Sequence, residues 1–477
     1  MPDEIPKQSV DFSGWYQAVV QRAELADYSE VKGCMVIRPY GYALWENIQR
    51  DMDRRIKETG HQNVYFPMLI PERFMKREAE HVEGFSPECA VVTHAGGAPL
   101  EEPLYLRPTS ETIINATLAK WIQSWRDLPM LINQWANIIR WEMRPRLFLR
   151  TTEFLWQEGH TAHETEAQAR EHTLRMLDVY RAFAEEMLAV PVVTGVKSAS
   201  EKFAGAVDTY CIEALMRDGK SLQAGTSHFL GQNFAKAFGV QFQSREGKLE
   251  FAWQTSWGVS TRLVGCVVMS HGDDKGLMLP PRIAPVQAVV VPIYKKEDQK
   301  ALVLGEAAKI REELAAAGVR IKVDDREQYS PGWKFNEWEL RGVPLRIEVG
   351  PRDVEKGQAV VCRRDTGEKA FTARAELKTA VLSGLEAVQK GLYDRALKFR
   401  EERTRDLAEY AAMQKALDET PGFVRAFWCG DAACEAKIKA ETKATIRAIP
   451  FAQPASFGAC IGCAKPGTKQ VLFARSY

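Results

Sequence analysis

Arg140–Phe154 reads RWEMRPRLFLRTTEF and carries four guanidinium groups, at Arg140, Arg144, Arg146 and Arg150. Apolar runs flank it, LPMLINQWANII on one side and Leu155-Trp156 on the other. The pattern predicts two strands joined by a basic loop. Side chains alternate between faces along a strand, so if Ile139 and Trp141 face the core, Arg140 and Glu142 share the opposite face. An arginine placed there can grip a phosphate or a carboxylate through two parallel hydrogen bonds. Glu142 can accept from an adenine amino group, and Phe154 on the returning strand can stack on the base. Together these parts make a nucleoside triphosphate site without a glycine-rich loop. A charged hairpin with surface salt bridges explains the same letters, and the hairpin alone does not choose between the two.

Two further segments carry weight. Ser256–Arg262, SWGVSTR, sets small residues before an apolar helix, LVGCVVM. Small side chains let a ligand lie against a strand, and Arg262 can reach across it. A strand-to-helix junction with an exposed arginine is the plainer alternative. Leu106–Glu111, LRPTSE, puts Thr109 and Glu111 at a helix start, where a capping box would serve equally well.

Working outward, residues 41–59 place Leu44, Ile48, Met52 and Ile56 on one helical face, with Gly60 as the stop. NVYFPMLIP is predicted as a strand, 109–125 as a helix, and 165–188 as a long amphipathic helix. SLQAGTSHFLGQNF and LEFAWQTSWGVSTR read as further strands around glycine turns. The mixture predicts an α+β domain over 1–283, built on a mostly antiparallel sheet. From 284 to 395 strands alternate with helices in a compact α/β unit, with Pro280, Pro281 and Pro285 at its entrance. A charged helix leads away, 396–417 reads as a helical linker, and 418–477 forms a small third unit.

The 477 residues carry 64 Lys and Arg against 63 Asp and Glu. No global basic field exists, so any nucleic-acid contact must rest on local patches. No apolar run reaches the roughly 18 residues of a membrane span, and MPDEIPKQSVDF lacks a signal-peptide core. The expectation is a cytoplasmic protein with no membrane partner. Cys34, Cys89, Cys211, Cys266 and Cys362 are scattered, which suits a reducing compartment. Cys429-x4-Cys434 and Cys460-x2-Cys463 pair closely, and GACIGC has a knuckle shape. Four thiolates at such spacing predict a closed, structural zinc site, with disulfides as the alternative that a reducing compartment disfavours. The last residues, KQVLFARSY, read as an apolar strand whose end at Tyr477 braces the first domain.

Three segments in order resemble the motifs of the class II aminoacyl-tRNA synthetases. Gly60–Pro71, with Pro67 at its centre, resembles their motif 1, RWE…R…F motif 2, and SWGVSTR-LVGCVVM motif 3. Ser256 and Ser260 stand where that motif usually has glycines, and Thr261 where it has glutamate. LRPTSE, FLWQEGHTAH and AGTSHFLGQNFAKAF are similar to the proline-specific branch in its archaeal and eukaryotic-like form. ELRGVPLRIEVGPRDVEKGQAVVCRRD resembles the branch's anticodon-binding domain. Only about a hundred residues separate Phe154 from Ser256, so the editing insertion of the bacterial form is absent.

The resemblance implies a ligase that joins proline to tRNA(Pro) through a prolyl-adenylate, working as a homodimer with ATP, Mg²⁺ and structural zinc. It implies catalytic roles for Arg140 and Arg262. Proline would contact Thr109, Glu111, Arg140, Trp156, Glu158, His160, Phe203 and His228, with Glu111 facing the amine and Glu158 orienting His160. ATP would contact Arg140, Glu142, Arg150, Thr151, Phe154, Gln223, Thr226 and Arg262. Glu339, Arg346 and Lys369 would read the anticodon, with Arg352, Arg363 and Arg364 as further candidates. Cys429, Cys434, Cys460 and Cys463 would hold zinc. A threonine- or serine-specific sister, or a catalytically silent relative that binds RNA, stays open at this stage.

Overall fold

Met130–Ile139 and Glu153–His163 pair antiparallel, from Met130 opposite Ala162 to Ile139 opposite Glu153. The arginine-rich stretch is therefore the turn of a hairpin, as its sequence predicts. The computed structural model describes residues 5–81 and 89–477; the MPDE of the N-terminal stretch lies outside them. Successive antiparallel pairings extend the hairpin through Trp253–Ser260, Ser221–Gly231, Asp208–Leu215 and Val192–Val196. Glu166–Glu186 covers one face of this sheet, starting at a capping box between Thr165 and Gln168. Arg262–His271 lies inside the core, and beside it Leu44, Ile48, Met52 and Ile56 of the Pro39–Glu58 helix are all fully buried. At the strand crossing between Gly159 and Trp257 the indole lies flat on the glycine: a Cβ at Gly159 would sit 2.0 Å from that ring.

The sheet does not stop at the first unit. Val192–Val196 pairs with Thr445–Pro450 through Ile449 opposite Val196 and Pro450 opposite Gly195. Lys469–Ala474, Phe423–Trp428 and Thr404–Asp406 follow, and with Gln62–Asn63 at the far edge beside Met130–Ile139 the sheet has eleven strands. The C-terminal residues thus extend the first sheet. Gly195 permits the junction, because a Cβ there would lie 2.6 Å from the Ile449 carbonyl oxygen. A five-stranded sheet stands separately, ordered Ile321–Val323, Ala288–Pro292, Leu345–Val349, Gln358–Arg363 and Lys369–Ala373. Helices Glu297–Ala316, Pro331–Leu340 and Leu377–Glu402 accompany it. The whole is α+β, with an α/β unit after residue 284.

Three expectations need correction. NVYFPMLIP is not one strand: Gln62–Asn63 joins the large sheet, Leu69–Pro71 joins a three-stranded one, and the run containing Pro67 between them makes no ladder. Residues 396–417 are not a helical linker. Leu377–Glu402 ends, Thr404–Asp406 enters the sheet, and Tyr410–Glu419 begins a new helix. Trp141 does not face the core and is 51% exposed, because the strand ends at Ile139. Arg140 is held instead by its N–H to the Thr152 carbonyl and by Nε to the Pro108 carbonyl, each 2.8 Å.

The chain end is anchored as its apolar reading predicts. Tyr477 donates its hydroxyl to Asp218 Oδ2 at 2.6 Å, and Ser476 bridges to Ser221. Arg146 lies 6.0 Å from the Tyr477 ring centre. Deleting Ser476 and Tyr477 is expected to lower unfolding stability by about 1–2 kcal/mol, measured by urea titration, since Asp218 loses one of its donors and the Tyr477 ring its packing.

Behind Trp257 three buried histidines cluster, with the rings of His61 and His163 tilted against that of His172 at 5.1 and 5.0 Å. Burial pushes His61 and His163 down to about 4, and burial with both neighbouring imidazoles pushes His172 to about 2. Below the ordinary value near 6.5 the unfolded chain takes up protons that the folded one refuses, so stability falls with pH. Each histidine is expected to cost about 2 kcal/mol at pH 5 relative to pH 7.5. Urea midpoints at the two pH values measure it, and a His172→Phe variant should show a shallower dependence.

Candidate active site

Phe154, Trp156, Glu158 and His160 fall on one face of the Glu153–His163 strand, and all four line a cavity of about 250 Å³. Arg140 enters from the hairpin turn, Thr109 and Glu111 from a helix start, and Arg262 from the end of the Trp253–Ser260 strand. Gln223, Thr226 and His228 come from the next strand. In a regular strand Gln223 would point away from the other two. A bulge opposite Ile212 and Glu213 leaves Ala224 unpaired and turns Gln223 to the same face. Phe203 closes the wall, its ring 4.7 Å from that of His228. Every residue expected to contact proline therefore lines this one cavity.

A second recess opens beside it, lined by Arg140, Glu142, Arg150, Thr151, Phe154 and Arg262. Arg140 and Arg262 border both. Arg150 Nε donates to Glu142 Oε2 at 3.0 Å, and the Arg144 N–H donates to Glu142 Oε1 at 2.9 Å. Arg140 lies 5.6 Å from the ring centres of both Phe154 and Trp156.

Charge is segregated along the cavity. Burial, with repulsion from Arg140 and Arg150, lowers Arg262 to about 10. Enclosure by protein also lowers Arg140, and Glu111 and Glu158 oppose that shift, although solvent still reaches Arg140 through the mouth. The other end holds the buried carboxylates Glu111 and Glu158. Ser110 and Gln134 both donate to Glu158 Oε1, and His160 Nε2 meets Oε2 at 3.0 Å. Burial opposes protonation of His160, but the Glu158 carboxylate outweighs it and raises the pKa. Burial, followed by His160 and Arg140, drives His228 down to about 3, so it stays neutral and takes a 2.9 Å hydrogen bond with the Thr209 hydroxyl.

The capping-box reading of LRPTSE fails: Ser110 makes no side-chain cap bond and spends its hydroxyl on Glu158. Thr109 donates to Glu111. Sequence reasoning passed over Glu201, Lys202 and Thr209, which also line the cavity. The segment of the first two, SASEKFAGA, has no periodicity to mark it, and Thr209 is the second residue of the Asp208–Leu215 strand.

The anticodon candidates meet in a different place. Glu339, Arg346 and Lys369 line a pocket of about 300 Å³ together with Phe335, on which the Arg346 guanidinium stacks at 4.1 Å. Arg363 and Arg364 line it too, and every charged member of the pocket is ion-paired: Arg346 and Lys369 with Glu348, Glu339 with Lys275, Arg363 with Asp365 and Arg364 with Asp273. Arg352 is exposed and lies outside it.

Cys429, Cys434, Cys460 and Cys463 present sulfur atoms all within 4.8 Å of one another. Cys434–Cys460 and Cys429–Cys463 are each 3.6 Å apart. That is too long for a disulfide and close to the edge of about 3.8 Å that Zn–S bonds of about 2.3 Å give a tetrahedron. The donor set fits a zinc ion.

An antiparallel sheet carrying this cavity, with arginines at its motif 2 and motif 3 positions, defines a class II synthetase core. Family comparison agrees: the tRNA synthetase class II core domain (G, H, P, S and T) matches residues 94–271. An anticodon binding domain matches 287–383, and a prolyl-tRNA synthetase C-terminal domain matches 410–477. The chain is 57% identical to a proline–tRNA ligase of Chloroherpeton thalassium over 488 aligned positions, covering all of both chains. It is 56% identical to the ligase of Chlorobium phaeovibrioides, again over both whole chains. The ligase of Symbiobacterium thermophilum is 56% identical, with 99% of this chain and 98% of that one covered. The chain belongs to the proline–tRNA ligase family.

Proposed function

We propose that the cavity joins proline to ATP and passes the prolyl group to the 3′-terminal adenosine of tRNA(Pro). The observation that carries the residue roles is the charge segregation. Arg140 and Arg262 line the cavity, Arg150 lines the recess beside it and, like Arg140, repels Arg262, and the buried carboxylates Glu111 and Glu158 face Arg140. An α-amino acid fits that polarity, with its secondary ammonium toward Glu111 and Glu158 and its carboxylate toward Arg140. Thr109 accepts the second ammonium hydrogen. Trp156, Phe203, His160 and His228 enclose the ring.

In the first step a proline carboxylate oxygen attacks the α-phosphorus of ATP, and pyrophosphate leaves. Arg140 neutralises charge on the α-phosphoryl oxygens, while Arg150 and Arg262 hold the outer phosphates. Phe154 stacks on adenine, with Glu142, Thr151 and Thr226 around the nucleotide. In the second step a terminal ribose hydroxyl attacks the carbonyl carbon of the mixed anhydride and AMP departs. No side chain acts as a nucleophile; alignment and charge supply the rate. Gln223 is the wall residue that would face a Mg²⁺ ion accompanying ATP, which would supply neutralisation of the phosphate charge.

Glu339, Arg346 and Lys369 hold anticodon bases, with Arg346 suited to a guanine edge. Zinc occupies the four-cysteine site in a structural role. No helix among the described residues is long and apolar enough to cross a membrane. Cytoplasmic placement supplies tRNA and keeps the thiols reduced. Pairing of two chains would cover the Gly60–Pro71 region, where Tyr65 is 72% and Leu69 37% exposed.

Arg140→Ala is expected to cut proline-dependent pyrophosphate exchange by at least about a hundredfold while circular dichroism stays unchanged. Exchange near the wild-type rate would overturn the assignment. Metal analysis should find one zinc per chain, lost in Cys434→Ser together with part of the thermal stability.

A further inference from the structure

The cavity wall at Glu201, Lys202 and Phe203 belongs to a loop, residues 197–207, between Val192–Val196 and Asp208–Leu215. The C-terminal residues hold this loop. Its Ser198 hydroxyl donates to Glu435 Oε1 at 2.6 Å, and both residues are buried. Lys439 Nζ donates to Glu201 Oε1 at 3.0 Å, and Arg447 approaches Glu201 Oε2 at 3.9 Å. Glu435 and Lys439 are one turn apart on the Ala432–Thr442 helix, which also carries Cys434. That helix is clamped to the second cysteine pair: a Cβ at Gly462 would lie 2.7 Å from Cys434 Sγ and 2.9 Å from Ile438. Inside the loop the restraint passes on. The Phe203 N–H donates to the Thr209 hydroxyl at 3.0 Å, and that hydroxyl also meets His228.

We propose that Glu435 and Lys439 are positioning residues for the amino-acid end of the cavity, and that metal loading of the four-cysteine site is thereby coupled to proline affinity. The inference rests on the reading of this cavity as the proline site. Neither residue touches the nucleotide recess, so the coupling acts on proline and spares ATP. The metal fixes Cys434 against Cys460, and the helix orientation then sets where Ser198 and Glu201 sit. Glu201 and Phe203 lie within five residues of Ser198, too few for slack to absorb a displaced anchor.

The test measures KM for proline and for ATP, with kcat, in pyrophosphate exchange, alongside zinc content. Glu435→Ala and Lys439→Ala should each raise KM for proline, Glu435→Ala by roughly tenfold, the scale of one hydrogen bond to a buried carboxylate. KM for ATP and zinc content should stay within about twofold of wild type, a margin below the effect of one such bond. Glu435→Gln keeps an acceptor for Ser198 and should restore KM for proline. Zinc removal by a chelator should weaken proline binding measured by calorimetry and speed hydrogen exchange across 197–207. An unchanged KM for proline in both alanine variants overturns the proposal, as does an equal rise for ATP. Phe203→Ala separates the two readings. If it leaves KM for proline unchanged, the cavity assignment fails; if it raises KM while Glu435→Ala does not, only the positioning role fails. Since Glu435→Ala removes a buried group, Ser198→Ala provides the same lesion from the loop side and should show the same split.

Discussion

Glu213 is the charge on which the assembly of this chain turns. It is fully buried, and its carboxylate takes Lys197 at 2.6 Å, Arg447 at 3.0 and 3.1 Å, and Ser221 at 2.5 Å. Lys197 also donates to the Arg447 carbonyl at 2.7 Å. Burial alone would raise the pKa of Glu213, and the two cations lower it instead. Such a cluster is weak evidence for stability, since apolar replacements of similar shape often do as well. Its effect here is registry. Lys197 and Glu213 belong to the catalytic half and Arg447 to a strand of the C-terminal half. Removing Glu213 leaves the buried cations Lys197 and Arg447 without their shared carboxylate, at a cost of about 3–5 kcal/mol. The two halves are thereby fixed in one relative position, and the loop that begins at Lys197 inherits it.

The cavity follows an opposite logic. Arg140 and Arg150 repel Arg262, which at about 10 still carries its charge at neutral pH. Glu213 is satisfied by partners within the protein, whereas the charge of Arg262 is answered by none this close: its Nε meets only the Leu149 carbonyl, at 3.3 Å. A polyanion relieves that imbalance most where charge builds up during phosphoryl transfer. Burial of polar groups therefore does two jobs. Complete pairing locks the frame, and incomplete pairing leaves a site that favours a ligand.

Much of this is legible in the sequence where a period carries it. The alternation of Phe154, Trp156, Glu158 and His160 gives one face of a strand, and Leu44, Ile48, Met52 and Ile56 give one face of a helix. The resemblance of three ordered motifs supplied the particular residues. What stayed hidden depends on contacts between distant segments. The bulge at Ala224, which brings Gln223 round, has no local signature. Nor does the pairing of Gly195 with Pro450, which merges two expected units into one sheet. The broken strand at Pro67 and the exposed Trp141 are cases where a local pattern was read one turn too far.

The four arginines of the opening stretch show why composition alone cannot assign roles. Arg140 borders the cavity and its neighbouring recess, Arg150 lines only the recess, Arg146 turns to Tyr477, and Arg144 is exposed and lends its backbone N–H to Glu142. Sorting them needs the far end of the chain, since the partner of Arg146 is the last residue. The same holds for the cavity wall: Ser198 and Glu435 are 237 positions apart. Contacts of that span form late, because the closure entropy of a long loop must be met before they can stabilise anything. A nascent chain ending before residue 435 has the class II motifs, the arginines and most of the sheet. It lacks the anchor for the proline-side loop. On this reading the amino-acid end of the site is the last part to be organised, and its completion waits on the C-terminal strands.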